Sequence, residues 1–371
     1  MHKSILIATQ CFPPDVGGIE TLVGDLSIAM AAQDHRVTVL ADAAKRTEAD
    51  PAAGGAVTVT RFGGPKFLRR RMKAASVHHH LRTQTFTGLI CDSWKSLELI
   101  DPGDVPVVVL AHGMEFPPEA SSRRQRRTRQ ALGKARTVVA SSQYAAARVA
   151  HLVPAFVPIV VINPPIHPQP EPSPAALWDL SVRVGAGRPL IAGLGRLEPR
   201  KGFDKVIAAL SQLTARFPDV TFALAGAGDD RDRLVALAAE HDVANHVAFL
   251  GRIDDATKAA LLAKADVFAM PTRRVGASVE GFGIVYAEAA WYGTPAIAGR
   301  DGGAVDAVQN GAAGLIVDGE STDDVADALV RLLADEDMRA RLGLAAQTHV
   351  QTMGTWERCL PRYLDALERE A

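Results

Sequence analysis

Two doubly wound α/β domains, each built on a parallel sheet, are the fold class this sequence predicts, and three observations predict it. Short β-branched runs alternate with stretches of helical period. A proline-rich segment, Asn163-Pro-Pro-Ile-His-Pro-Gln-Pro-Glu-Pro-Ser-Pro174, interrupts that rhythm, because proline can continue neither a helix nor a central strand. The rhythm then restarts, and 371 residues are enough for two ordinary domains, each with its own core.

In chain order, the first half carries strand-like runs at 4–8, 36–40, 57–61, 88–91, 105–110, 137–140 and 159–162. The second half repeats the pattern at 190–192, 220–225, 246–250, 267–270, 296–298 and 315–317. Helix-period stretches at 205–216, 230–240 and 254–264 lie between these runs. The predicted organisation is a first domain over 1–165, a linker region over 166–186 and a second domain over 187–354. Sheets of this kind bind ligands beyond the carboxyl ends of their strands, so the chemistry is expected in the loops that follow strands.

Composition narrows the function classes. Lys and Arg number 41 against 42 Asp and Glu, yet residues 61–150 hold sixteen Lys and Arg against six acids. That half is expected to favour anionic surfaces. Cys11, Cys91 and Cys359 are too few for a disulfide framework and form no metal-ligand spacing, which fits thiols in a reducing compartment; no metal site is readable. The start of the chain lacks the long apolar region of a signal peptide, and no run of eighteen apolar residues occurs. A cytosolic or peripheral protein is expected.

The distinctive residues fall in the expected loops. Pro13-Pro-Asp-Val-Gly17-Gly18-Ile-Glu20 follows the first strand, and its glycine pair either lets the backbone approach a ligand ahead of a helix or makes a tight turn. His112-Gly113 follows the fifth strand, where the histidine is either structural or a substrate contact. Gly195-Arg196-Leu-Glu-Pro-Arg-Lys201-Gly202 puts two cations between a strand and a helix, suiting either a diphosphate at a helix N-terminus or solvent. Ala225-Gly-Ala-Gly-Asp229-Asp230 is half a dinucleotide fingerprint, without the third glycine, and a nicotinamide reading is set aside.

Glu280-Gly281-Phe282-Gly283-Ile284-Val-Tyr-Ala-Glu288 is the most informative run. Carboxylates accept hydrogen bonds from vicinal hydroxyls, and the backbone N–H groups of 281–284, if they open a helix, suit a phosphate. A nucleotide sugar carries both groups. The alternative is an amphipathic helix with one exposed Glu at each end.

Taken in order, Gly195-Arg-Leu-Glu-Pro-Arg-Lys-Gly, Phe249-Leu-Gly-Arg252-Ile253, the run from Glu280 to Ala289, and Gly302-Gly-Ala-Val-Asp-Ala-Val with Asn310-Gly-Ala-Ala-Gly-Leu resemble glycosyltransferase family 4. The resemblance implies a retaining enzyme of the GT-B fold: two Rossmann-like domains facing a deep cleft, with a C-terminal helix, 355–371, crossing back to the first domain. It implies that Arg196 and Lys201 bind the donor diphosphate, Glu288 the ribose, and Glu280 with the backbone of 281–284 the transferred sugar. Arg252 and Ile253 would border the nucleobase, Gly17 and Gly18 would face phosphates and acceptor, and His112 would touch the sugar. Arg196, Lys201, Glu280 and His112 are accordingly the expected catalytic residues.

Family members are thought to use front-face attack, the departing phosphate taking the acceptor's proton; Glu280 as covalent nucleophile is the chemical alternative. No cofactor or metal is required beyond the nucleotide diphosphate sugar, and Asp229 and Asp230 are expected to be loop acids in solvent. Two positions depart from the pattern: Asp306 replaces the usual Glu, and Thr272-Arg273-Arg274-Val-Gly-Ala-Ser-Val279 lengthens the loop before Glu280, as in the bacterial phosphatidylinositol mannosyltransferase-like branch. Arg273 and Arg274 either add phosphate contacts or are exposed loop charges.

For the acceptor, Phe67-Leu-Arg69-Arg70-Arg71-Met-Lys73 and the arginine-rich run 123–129 are candidates, and Arg69, Arg70, Arg71 and Lys73 are the expected membrane contacts. Without interleaved aromatics these clusters argue against nucleic acid. The expected function is hexose transfer to a lipid or glycan acceptor at the inner face of the plasma membrane, with a nucleotide-sugar epimerase, a donor sensor, or a transferase with a soluble acceptor as rivals. The nucleobase, uracil or guanine, is left open.

Overall fold

A computed structural model describes all residues except 1, 16, 45–56, 117–120, 186–188, 310 and 370–371. Val16 in the first glycine loop and Asn310 in the last motif therefore lie outside the described residues. The chain divides into two compact units, residues 1–165 with 356–371, and residues 166–355.

The first unit runs β1 (Ser4–Ala8), α1 (Gly18–Ala32), β2 (Arg36–Asp42), β3 (Val57–Phe62), α2 (Lys66–Thr83), β4 (Gly88–Cys91) and α3 (Trp94–Leu97). It continues through β5 (Val107–Ala111), α4 (Ser122–Leu132), β6 (Thr137–Ala140), α5 (Gln143–Ala150) and β7 (Ile159–Val161). The second unit comprises α6 (Pro174–Val184), β8 (Leu190–Leu194), a 3-10 turn (Pro199–Lys201), α7 (Phe203–Leu213), β9 (Thr221–Ala225), α8 (Arg231–Glu240), β10 (Val247–Gly251) and α9 (Asp255–Lys264). After these come β11 (Val267–Met270), α10 (Ile284–Trp291), β12 (Ala296–Gly299), α11 (Ala304–Val308), β13 (Gly314–Val317), α12 (Thr322–Ala334) and α13 (Glu336–Met353). The last helix, α14 (Trp356–Glu368), belongs to the first unit.

Strand order is β3-β2-β1-β4-β5-β6-β7 in the first sheet and β10-β9-β8-β11-β12-β13 in the second. Every adjacent pair is parallel, as in Ile5 opposite Val37 and Gly88, or Ile191 opposite Phe222 and Val267. Parallel strands covered on both faces are apolar throughout, which is why the runs read as continuous Val, Ile, Leu and Ala rather than as alternation. In each sheet the order reverses beside the first strand, between β1 and β4 and between β8 and β11. A crevice opens at the carboxyl ends at such a switch.

The second unit is cored by a large apolar cluster that includes Ile191, Phe222, Phe268 and Tyr286, with a smaller one around Ile166, Ala290 and Val350. The first has a cluster on each sheet face, and α14 completes one of them with Trp356, Leu360, Tyr363 and Leu367. Gly88 in β4 leaves room for this helix: a Cβ there would stand 2.7 Å from Leu367 Cδ1.

Residues 166–186 are not a free linker. Ser173 caps α6, accepting from Ala176 N at 3.2 Å, and the helix packs its apolar face, with Leu180 buried, against α9. Proline at the first helical position starts the helix that proline would break elsewhere. No helix among the described residues is long and apolar enough to cross a membrane.

Tyr363, 1% exposed, is a large and almost wholly buried side chain that α14 contributes to the first unit. Tyr363→Ala is expected to lower that unit's unfolding free energy by about 3–5 kcal/mol, read from the urea midpoint; an unchanged midpoint would show the helix to be dispensable to that core.

Candidate active site

The loops after β8 and β11, the two strands flanking the switch in the second sheet, carry the charged residues singled out by sequence. After β8 the chain makes its 3-10 turn and enters α7 through Gly202, whose φ of +73° lies in the left-handed region. A side chain there would also collide with the Pro271 carbonyl, 2.0 Å from the Cβ position. The close approach brings Lys201 to the loop after β11. Its Nζ lies 2.5 Å from Glu280 Oε2, and Arg200 Nη1 donates to the same oxygen at 2.8 Å.

All three side chains are largely buried, at 9–13% exposure. Burial by itself pushes the Glu280 carboxyl up, but Lys201 and Arg200 more than offset it and hold the group below its usual value. Desolvation lowers the Lys201 ammonium, with Arg200 adding to the effect and Glu280 opposing it. A buried carboxylate between two cations is ionised, and isolating any member would leave an uncompensated charge.

The network extends outward through Glu198, which takes Arg200 Nε and Arg196 Nη1, each at 2.9 Å. Arg196 is 66% exposed, so this last pair adds little stability and leaves the guanidinium available to a ligand. Three cations against two carboxylates leave one positive charge in excess. Sequence reasoning chose Arg196 and Lys201 and passed over Arg200, although Arg200 sits beside Lys201; a single sequence does not say which of two arginines turns inward.

Gly283, at φ +85°, is the N-cap of α10, so Ile284 opens the helix and Phe282 is buried beneath it. The first-turn amides of such a helix have no intrahelical acceptor. Glu288 lies one turn inside α10, and its Oε1 takes Lys258 Nζ of α9 at 2.9 Å. Burial pulls the Lys258 ammonium down, but Glu288 and Asp255 reverse this and raise it. Lys258 is a second residue that the sequence reading missed, since only the packing of α9 against α10 pairs it with Glu288. Among the described residues, Glu280 Oε1 and Glu288 Oε2 accept no hydrogen bond. Each carboxylate is anchored by one oxygen and offers the other.

Beside the clamp, a cavity of about 740 Å³ is lined by Arg196, Glu198, Pro199, Gly228, Asp229 and Arg252 among others. Ile253 is partly buried against the core at the end of β10. The glycines of the half-fingerprint have another purpose: Cβ atoms at Gly226 and Gly228 would meet Gly195 O at 1.8 Å and Leu197 O at 2.2 Å, so they let two loops touch. Asp230 is not in solvent; it is buried and bidentate to Arg233, at 2.6 and 2.7 Å. Arg273 is neither an exposed charge nor a free phosphate ligand, being buried against Asp204 at 2.8 and 2.9 Å.

The remaining candidates lie in the first unit. Gly17 caps α1 with Glu20 folded over it, and a Cβ at Gly18 would meet nothing within 4 Å. His112, 8% exposed, has Nε2 3.0 Å from Asp92 O, while its backbone N–H donates to Glu115. Of the four expected membrane contacts, Lys73 is buried on Asp42 and cannot reach a surface. Arg69 pairs with the same Asp42 and Arg70 with Glu98, leaving Arg71 exposed beside Phe67, Leu68 and Met72. Helix position explains this: 70, 73, 74 and 77 share the inward stripe of α2. Among the described residues no group of three or more His, Cys, Asp and Glu could hold a metal ion.

Residues 181–349 match the family Glycosyl transferases group 1, and residues 16–170 match Glycosyltransferase Family 4. The chain is 33% identical, over 385 aligned positions, to GDP-mannose-dependent alpha-(1-6)-phosphatidylinositol monomannoside mannosyltransferase of Mycobacterium tuberculosis, covering 98% of this chain and 97% of that protein. Sucrose-phosphate synthase from Thermosynechococcus elongatus has the same fold, with a TM-score of 0.83 at 21% identity over 99% of this chain and 98% of that one. So does Anabaena HepE in complex with UDP-glucose, with a TM-score of 0.78 at 22% identity over 99% and 100%. The fold is GT-B, and with identity of this degree running through almost the whole of both sequences, the chain belongs to glycosyltransferase family 4.

Proposed function

We propose that the protein transfers mannose, with retention of configuration, from GDP-mannose to a phosphatidylinositol mannoside-type lipid at the inner face of the membrane. The observation that carries the reading is the pair of half-used carboxylates, Glu280 and Glu288, set beside the buried Lys201 and Arg200. Glu288 Oε2 would accept from the ribose hydroxyls and Glu280 Oε1 from the mannose, while Lys201, Arg200 and Arg196 take the diphosphate. The name of the Mycobacterium tuberculosis relative supports the choice of GDP-mannose and of a mannosylated inositol lipid.

In this mechanism the bond between mannose C1 and the β-phosphate oxygen breaks and negative charge grows on the departing GDP. Lys201 and Arg200, fixed before the reaction, stabilise charge that appears only as the bond breaks. The acceptor hydroxyl attacks from the same face and its proton passes to the leaving phosphate oxygen, so charge and protons balance without a side-chain base. Two cations on Glu280 Oε2 stabilise its anion and weaken it as a nucleophile, which favours a hydroxyl-binding role. His112, Gly17 and Gly18 are assigned to the sugar and acceptor side, and Arg252 and Ile253 to the nucleobase. Phe67, Leu68, Met72 and Arg71 on α2 form the proposed membrane contact, and Arg69, Arg70 and Lys73 support that helix from within.

The test is release of GDP from GDP-mannose with and without lipid extract. Turnover that depends on the lipid is expected; conversion of donor alone at the same rate, or no turnover with any lipid, would defeat the reading. Glu288→Ala is expected to raise the KM for donor about tenfold or more through lost ribose contacts. Lys201→Ala is expected to lower kcat roughly 10²-fold or more, with the smaller effect on KM; unchanged kinetics in both would defeat the site assignment. In vesicle sedimentation at low salt, Phe67→Ala with Arg71→Ala is expected to release the protein from anionic vesicles, and undiminished binding would remove α2 from the membrane contact.

A further inference from the structure

The segment Pro271–Arg273, at the start of the lengthened loop, is wedged between three other loop backbones of the second unit. Cβ atoms at Gly202, Gly299 and Gly319 would stand 2.0, 1.6 and 2.5 Å from its carbonyl oxygens, so only glycine lets the chains approach so closely. These glycines follow or close β8, β12 and β13. From the centre of that junction Arg273 reaches into the protein. Its guanidinium donates to both oxygens of Asp204, at 2.8 and 2.9 Å, and to Gly319 O at 3.4 Å. Its backbone N–H donates to Arg200 O at 2.9 Å.

Arg273 thus grips the donor clamp from both ends. Asp204 stands in the first turn of α7, just beyond Lys201 and Gly202, and Arg200 stands just before them. Seven residues further along its own chain is Glu280, the clamp's carboxylate. Because Arg273 is paired with Asp204 and Glu320, and Arg233 with Asp230, the junction adds no positive charge to the site. Its contribution is geometric. Arg200 and Lys201 are like charges on consecutive residues and would separate if their turn were loose; two parallel guanidinium–carboxylate bonds fix a plane, which an ammonium cannot do.

We infer that Arg273, through its fork on Asp204 and its amide on Arg200, is a positioning residue that sets Lys201 and Arg200 for the departing diphosphate. The inference rests on the assignment of those two cations to the donor. It assigns a purpose to a residue that touches no part of the proposed ligand.

Two variants separate positioning from folding. Arg273→Lys keeps the charge and loses the fork; it is expected to lower kcat roughly tenfold to a hundredfold with KM for donor changed much less, and to speed amide hydrogen exchange across 199–203. Arg273→Met with Asp204→Leu replaces the buried pair by apolar groups of similar size, which is expected to return Tm close to that of the wild type while kcat stays low and exchange stays fast. Wild-type kcat in Arg273→Lys, or kcat recovering together with Tm in the double variant, would overturn the inference. The exchange measurement needs no donor, so an enzyme inactive on GDP-mannose would defeat the functional reading while the exchange rates at 199–203 still decide the positioning.

Discussion

The buried ion pair between Lys201 and Glu280, shared with Arg200, is the constraint around which the second unit's site is arranged. Charges removed from water need partners with good geometry, and a pair that loses one member leaves the other uncompensated. That requirement explains why the loops after β8 and β11 approach to backbone contact at Gly202 and Pro271. The approach happens at the switch in strand order, where β8 and β11 are neighbours in the sheet. Glu280 supplies the counter-charge within the clamp, and Arg196, Arg200 and Lys201 exceed the two acids by one.

The same site shows how one motif divides its labour. Glu280 and Glu288 look equivalent along the sequence, yet one precedes the N-cap glycine of α10 and is held by two cations, while the other lies within the helix and is held by Lys258. A carboxylate between two cations is a poor nucleophile and a firmly oriented acceptor. One bound to a single lysine, with an oxygen to spare, suits hydroxyls. The difference comes from neighbours brought by other elements, α9 for Glu288 and the 3-10 turn for Glu280.

In the first unit the same rule works against a simple reading of charge. The basic run on α2 suggests a cationic face, but helical periodicity turns Lys73 inward and ion pairs occupy Arg69 and Arg70. Asp42, at the end of β2, and Glu98, just after α3, absorb these charges although both are distant in sequence. What remains outside in the first two turns is Phe67, Leu68 and Met72 with Lys66 and Arg71. A surface of that kind would dock through apolar side chains and charge together.

The sequence by itself determined the fold class, because two parallel sheets buried on both faces require continuous apolar runs, and those runs are visible one strand at a time. It also singled out Lys201 and Glu280, which the structure brings into one ion pair, and Glu288 on the helix that follows, since their motifs are local. It read residues 166–186 as a linker, where the apolar stripe of α6 is satisfied by α9. It left Arg273 between a phosphate contact and a loop charge and took Asp230 for a solvated acid, where each is half of a buried pair. Only the tertiary structure decided that Arg200 joins the clamp, that Lys258 holds Glu288, and which charges stay in water. The physical reason is that a charge's partner is set by distance in space, whereas hydrophobic periodicity and turn chemistry are set by neighbours along the chain.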